Sequence, residues 1–246
     1  MTVITVSRQL GSHGEEVAAQ VAQALNLRLI DAQTINKAAQ KAGVPSIALA
    51  EMEQEGKRGL ANQVLKALRA MPNLGSAAAY ASTTGDEVGI SYPELKSPAY
   101  PLSGLFSPTV PPISASLEGY VRMVDLVIRG LAREGNVLIF GRGGQVLLRH
   151  HPGALHLQVV APRAYRVRTI VERLDLDQRS AQNRLRASDR ARADYVRRYH
   201  DANWLDPTLY HLTINTGRIP IASAVELIIV AHKAITAATR QDSDHE

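Results

Sequence analysis

Apolar residues in this chain recur with two spacings. Short apolar-rich runs occur at Val3-Ile4-Thr5-Val6, at 27–30 (LRLI), 136–140 (NVLIF), 155–160 (LHLQVV) and 210–215 (YHLTIN). Runs this short, bounded by turn residues, predict strands. Between them the apolar positions fall at helical spacing. Val17, Val21, Ala24 and Leu25 share one face of a helix predicted from Gly14 to Leu25. Ala32 to Ala42, Leu117 to Arg133, Arg163 to Leu174, Gln178 to Tyr199 and Ala222 to Ala238 read as further helices, and Ile47 to Met71 as mostly helical. Strand alternating with helix predicts an α/β fold, with a parallel sheet of about five strands covered on both faces.

The pattern breaks over residues 72–116. This stretch holds seven of the twelve prolines, with many Gly, Ser and Ala. Proline lacks the N–H that regular pairing needs, so an irregular insertion within a single domain is expected here. No internal repeat is present. Ligands of parallel α/β sheets sit at the carboxyl ends of the strands, so the residues after each run matter. The Gly loop follows the first, Asp31 the second, Gly141-Arg142 the third, Ala161-Pro162-Arg163 the fourth and Asn215-Thr216-Gly217 the fifth. Polar and glycine residues thus collect on one predicted edge.

Composition narrows the class. With 246 residues and 45% hydrophobic content the chain can bury a full core. The absence of cysteine excludes disulfides and thiolate metal sites. The most apolar segment, AVELIIVAHKAI, is interrupted by Glu226 and His232, so no bilayer span is expected. With no signal-peptide pattern at the start, a cytoplasmic location is expected. The net charge is +5, and eleven arginines crowd into the 36 residues from Arg163 to Arg198. Guanidinium forks grip phosphate or carboxylate oxygens in pairs. The cluster fits either a phosphate-bearing partner or a solvated helix balanced by Glu172, Asp175, Asp177, Asp189 and Asp194. Nucleic-acid binding fits less well, because aromatics are only 4% and offer no stacking platform.

The first loop, SRQLGSHGEEV, keeps the strand–turn–helix setting of a phosphate loop, but it lacks the Lys and Ser/Thr of G-x-x-x-x-G-K-[ST]. Two readings stand. In one, backbone N–H groups and the helix N-terminus bind phosphate and Arg8 replaces the lysine charge. In the other, Ser12-His13-Gly14-Glu15 is only a capping box, with Ser12 as cap and Glu15 reaching back.

Five segments in order resemble the cytidylate-kinase-like family of nucleoside monophosphate kinases. TVSRQLGSHGEEVAAQVAQALNLRLID is similar to the family opening, NVLIFGRGGQVLL to its strand ending in Gly-Arg, and LHLQVVAPRAYRVRTIVERL to the following strand and arginine helix. RLRASDRARADYVRRYHDANWLDPTLYHLTINTGRI resembles the lid and the closing Asn-Thr. The resemblance spans about residues 2–70 and 117–235. It implies a P-loop-type kinase that moves a phosphoryl group from ATP, with Mg²⁺, to a nucleoside monophosphate such as CMP or dCMP. It further implies that Gly11, Ser12, His13 and Gly14 cradle the donor phosphates, with Arg8, Asn215 and Thr216 beside them. Asp31 and Lys37 would lie near the acceptor, Arg142 would grip its phosphate, and Asp189 would recognise the base. Arg186, Arg190 and Arg192 would close over the transferring group.

Plainer roles are available for most of these residues. Asp31 can cap the next helix, Lys37 can be a surface residue, and Asp189 can pair with Arg186 or Arg192 on its own helix. Asn215-Thr216-Gly217 can be a turn, and His150-His151 before Pro152 a loop. No metal site built from protein ligands alone is expected. The chain also departs from the family pattern. Phe140 and Gly143 stand where acidic residues flank Gly-Arg, His13 stands where the loop usually has glycine, and Ser188 replaces an arginine beside Asp189. These departures keep open a non-catalytic nucleotide-binding protein, a degenerate kinase with a regulatory role.

Overall fold

A computed structural model describes residues 2–41 and 117–243. Within them the chain runs β1 (Val3–Arg8), α1 (Gly14–Ala24), β2 (Arg28–Ile30), α2 (Ala32–Lys41), α3 (Leu117–Glu134), β3 (Val137–Phe140), α4 (Gly144–Leu147), β4 (Ala154–Val160), α5 (Arg163–Leu174), α6 (Gln178–His200), a 3₁₀ turn (Pro207–Leu209), β5 (Leu212–Asn215) and α7 (Ile221–Ser243). The helix expected over 47–71 and the insertion expected over 72–116 lie outside the described residues. The α4 turn and the 3₁₀ turn carry no periodic signal, being a single turn each.

All five expected strands form, and all pair in parallel in the order β2-β3-β1-β4-β5. The central β1 shows why its run lacks a polar–apolar alternation. Val3 pairs with Val137 on one side and Ala154 on the other. A strand flanked on both edges and covered on both faces has no solvent side to leave polar. Val3 packs with Ile35, Val124, Ile128, Leu131 and Ile139 beneath α2 and α3. Ile4 and Val6 point the other way, into Val17, Val21, Leu138, Leu155, Leu157, Ile214 and Ile228 beneath α1 and α7. Ile4, Leu138, Ile139, Leu155 and Leu157 are fully buried, and each contributes roughly 1.5–3 kcal/mol.

α7 corrects one expectation. Ile221–Ala238 is long and apolar enough to cross a membrane by length and composition, with a mean hydropathy of 1.6. Two charges, Glu226 and Lys233, and the imidazole of His232 do not bring the average down far enough. In the fold, Ala224, Val225 and Ile228 of this helix are buried in the core beside α1.

The basic helices form a unit at the edge of the sheet. α5 and α6 pack through Val167, Ile170, Ala181 and Leu185. Asp177 starts α6 by accepting from the N–H groups of Arg179 (2.9 Å) and Ser180 (3.0 Å). Arg197 and Arg198 lie in its last turn, where cations suit the helix dipole.

One polar group in the core is a histidine. His156 Nδ1 lies 2.8 Å from Thr5 Oγ1, and its backbone N–H donates to His211 Nδ1 at 2.9 Å. Burial, with His211 beside it, pushes the imidazole down to about 4. It is a satisfied core residue joining β1 to β4.

Candidate functional site

The site grows from two turns at the carboxyl ends of β1 and β3. After β1, Gln9 N–H still donates to Val159 O at 3.0 Å, which extends the strand pairing by one step. The chain then turns at Gly11, with φ of 77°. A Cβ there would come within 2.6 Å of the Arg166 carbonyl oxygen, so α5 packs directly on this loop.

Ser12 is buried, and its hydroxyl donates to Gln9 O (2.7 Å) and Val159 O (3.1 Å). It therefore braces the loop from inside and cannot cap α1. The N-cap is His13, in a left-handed conformation (φ 55°) with no side-chain cap bond. Glu15 does not reach back either, because its carboxylate meets Arg8 Nε at 3.1 Å. The capping box expected from Ser12 and Glu15 is thus absent. The first-turn amides of α1 open onto the loop without a capping side chain. Burial would raise the Glu15 carboxyl, but Arg8, its own backbone N–H and the nearby Arg192 outweigh it and hold the group below its ordinary range.

His13 turns outward to α5. Its ring lies 3.3 Å from Glu16 Oε2, 3.0 Å from Arg173 Nη2 and 3.4 Å from Thr169 Oγ1, with Tyr165 edge-on. It fastens the loop to α5, and no contact directs its ring into the loop.

After β3 the backbone takes three consecutive positive φ values, at Gly141 (82°), Arg142 (54°) and Gly143 (70°). An arginine in this region is uncommon and costs energy, a pattern found at functional sites. Arg142 Nη2 donates to Asn36 Oδ1 of α2 at 2.7 Å. Gly143 suits its φ of 70°, and a Cβ there would come within 2.7 Å of His200 Nε2, so the His200 ring packs against this turn.

Between these turns and α6 lies a cleft of about 250 Å³, lined by Arg8, Arg142 and Arg192 with Phe140, Gln145, Ser188 and Trp204 among its walls. Helical spacing explains the α6 contribution. Ser188, Arg192 and Tyr195 fall on one face. Arg192 Nη1 donates to Ser188 O (3.3 Å) and to the Ser188 hydroxyl. Burial and Arg8 push Arg192 down to about 9, with Glu15 and Asp189 opposing. It stays cationic at neutral pH. The Arg8 guanidinium lies 4.3 Å from the Phe140 ring centroid.

The floor is a polar network around the one tryptophan. Trp204 Nε1 donates to Ser7 Oγ at 2.8 Å. Its carbonyl accepts from Gln158 Nε2 (3.1 Å) and Tyr210 Oη (2.7 Å), and Gln145 Nε2 donates to Tyr210 Oη at 3.3 Å. Burial pushes the Tyr210 hydroxyl up to about 12.

Several expected residues lie elsewhere. Arg186 donates to Asn183 Oδ1 at 2.6 Å and Arg190 lies 3.5 Å from Asp194; both are exposed and away from the cleft. Asp189 accepts two bonds from the buried Arg166 of α5, at 2.9 and 3.0 Å. That pair ties α5 to α6, and neither own-helix partner, Arg186 or Arg192, takes the carboxylate by hydrogen bond. Asp31 caps α2, accepting from the Thr34 N–H and hydroxyl at 2.7 Å each. Lys37 is exposed, and its neighbour Asn36 makes the contact to Arg142. Asn215 Oδ1 accepts from Gly217 N–H at 3.1 Å, while buried Thr216 donates to Ser12 O at 2.7 Å and anchors the first loop to β5. Among the described residues, no group of three His, Asp or Glu side chains could hold a metal ion. Sequence reasoning missed Asn36, Gln145, Tyr195 and Trp204. Only Trp204 left a signal, as the sole tryptophan of a chain poor in aromatics.

The parallel order with β1 central, its glycine loop and the arginine-lined cleft define a P-loop-type kinase fold. The model of the cytidylate kinase-like family matches residues 3–218, and the chain belongs to that family. Membership in a kinase-like family supports phosphoryl transfer in general. Among solved structures, the chain is similar to an uncharacterised protein from Eubacterium ventriosum ATCC 27560, with 15% identity, 95% of this chain and 99% of that one covered, and a TM-score of 0.61. A shikimate kinase from Acinetobacter baumannii in complex with shikimate matches at 13% identity, with 93% and 90% covered and a TM-score of 0.43. TT1252 from Thermus thermophilus matches at 17% identity, with 95% and 96% covered and a TM-score of 0.42. No curated protein matches the chain.

Proposed function

We propose that this chain is a single-domain, cytoplasmic kinase that transfers the terminal phosphoryl group of ATP to a nucleoside monophosphate, CMP or dCMP. The observation that carries the reading is the convergence of Arg8, Arg142 and Arg192 on one cleft at the carboxyl ends of β1 and β3. Three guanidinium groups in so small a space match the charge of phosphate groups meeting end to end. In the reaction, an oxygen of the acceptor phosphate bonds to the terminal phosphorus of ATP and the bond to the ADP oxygen breaks. Such transfer asks for positioning and positive charge more than for covalent catalysis. Arg142, held by Asn36, fixes the acceptor phosphate. Arg192 neutralises charge on the transferring group. The uncapped start of α1 and Arg8 face the donor phosphates. Mg²⁺ would supply further charge neutralisation, held by the phosphates themselves, since protein carboxylates do not line the cleft among the described residues.

A second reading has its own observation. Glu15 puts a carboxylate beside Arg8 at the mouth of α1, where a donor phosphate would sit. This favours a nucleotide-binding protein that keeps the fold without turnover. ADP release measured with ATP, Mg²⁺ and a panel of nucleoside monophosphates separates the two. Turnover with a cytidine monophosphate supports the kinase. Binding of both nucleotides with no ADP release supports the second reading.

A further inference from the structure

His200 stands between the cleft and a second hollow. Its Nε2 abuts Gly143 of the Gly-Arg turn, and its ring lines a space of about 560 Å³. α3 forms one wall, with Asp125, Arg129 and Arg133 four residues apart on one helix face. Residues 146–152 form the other and supply Arg149, His150 and His151. Three guanidinium groups face a single carboxylate. Among the described residues none of the three arginines is in an ion pair at salt-bridge distance. Arg149 Nε donates to His150 Nε2 at 3.0 Å, and His151 Nδ1 lies 3.0 Å from Pro152 O, so the loop is held by local bonds that leave its positive charge unneutralised.

The inner wall adds an independent observation. His200 Nε2 and Asp125 Oδ1 are buried, and neither has a hydrogen-bond partner among the described residues. Of the two, only the His200 ring nitrogen can donate to an oxyanion, and leaving it unmet costs about 1–3 kcal/mol; the Asp125 carboxylate opposes an anion. Burial pushes Asp125 up to about 6 against the pull of Arg129, and burial together with Arg129 pushes His200 down to about 4.

We propose that this hollow is a second anion site, separate from the nucleotide cleft, which takes a small phosphate-class oxyanion between Arg129 and Arg133 of α3 and Arg149 of the opposite wall. Guanidinium forks from two sides suit a tetrahedral oxyanion. The hollow has more than twice the room of the cleft, enough for inorganic pyrophosphate.

The test uses the full chain carrying R8A, R142A and R192A, which removes all three arginines of the cleft, and titrates it with inorganic pyrophosphate by calorimetry. Binding persists in this background. Adding R129A and R133A weakens it about 10-fold, as does R149A alone from the other wall. Circular dichroism and melting of each variant confirm that it is folded. Asp125→Asn, which removes the one carboxylate of the hollow, tightens binding several-fold. The proposal is overturned if the cleft-disabled protein binds no pyrophosphate, or binds it unchanged after R129A/R133A and R149A. Weaker binding in Asp125→Asn contradicts it as well.

Discussion

The turns after β1 and β3 both end a buried parallel strand, both contain glycines at positive φ, and both open onto the same edge of the sheet. They use their side chains in opposite ways. In the first, Ser12 bonds to backbone carbonyls, His13 leans on α5, and Glu15 takes Arg8. Its side chains are spent on holding the loop's shape, and what remains for a ligand is the uncapped start of α1. In the second, Gly141 and Gly143 remove side chains on either side of Arg142, which lines the cleft with Asn36 steadying it. One turn offers backbone dipoles and the other offers a full charge. A glycine-rich motif therefore fixes a backbone path, and the residues between the glycines decide what is presented.

The largest effect expected concerns acid, because the second turn rests on His200. His200 and His156 are both pushed to about 4 by burial, so both are neutral in the fold. The unfolded chain takes up these protons near the ordinary value of 6.5. Stability is therefore complete above pH 6.5 and falls as the pH drops toward 4. Asp125 runs the other way, since burial lifts it from 3.8 to about 6 and the fold keeps its proton longer. Between pH 6 and 4 it cancels one imidazole, so these three groups together take up one proton on unfolding, and His232, also lowered by burial, adds in the same direction. The one proton amounts to about 1.4 kcal/mol lost per pH unit. Urea midpoints at pH 7.5, 6 and 4.5 check it, and a flat profile contradicts it.

Next comes the charge at the second turn. Arg142→Ala is expected to weaken nucleoside monophosphate binding 10- to 100-fold, from about 1.5–3 kcal/mol per charged hydrogen bond. Arg142→Lys recovers part of this, because an ammonium cannot copy the paired fork. The melting temperature should move little. A sharp drop in melting temperature with unchanged affinity per folded molecule would make Arg142 a structural residue.

At the first turn the expected change is smaller and of opposite sign. Glu15→Gln removes a carboxylate from the mouth of α1 and frees Arg8, so ATP affinity should rise by roughly 3- to 10-fold, within the range of one charge near a helix terminus. Weaker ATP binding in this variant would mean that Glu15 serves the ligand and does not compete with it.

The smallest effects belong to the arginines outside both turns. Arg186 and Arg190 bond within α6 and are exposed. Exposed pairs of this kind contribute about 0–1 kcal/mol. Replacing either with alanine should change nucleotide affinity and turnover less than about twofold. A loss as large as that of Arg142→Ala would mean that the lid face of α6 is the opposite one.

These contrasts also mark what the sequence could convey. Five strands, most helices and the ligand edge follow from apolar spacing, which depends on neighbours close in the chain. Arg142 was legible because glycines flank it after a buried strand. The α6 arginines were legible only as a cluster. Which of them faces the cleft depends on how α6 is rotated against α5, and the Arg166–Asp189 pair sets that rotation across 23 residues. Asn36 was missed in favour of Lys37 for a related reason. A helix turns 100° per residue, and nothing local says which side meets β3. Neither reading of Ser12, cradle or cap, includes its bracing role, because its partner Val159 O is 147 residues away.

The most direct test of the arginine assignment is a titration of arginine side-chain NMR signals with CMP. Guanidinium resonances are assigned by single Arg→Lys changes and followed as CMP is added. The account predicts that Arg142 and Arg192 shift most and Arg8 measurably, with Arg186 and Arg190 unmoved. Shifts at Arg186 and Arg190, with Arg142 and Arg192 silent, would contradict it.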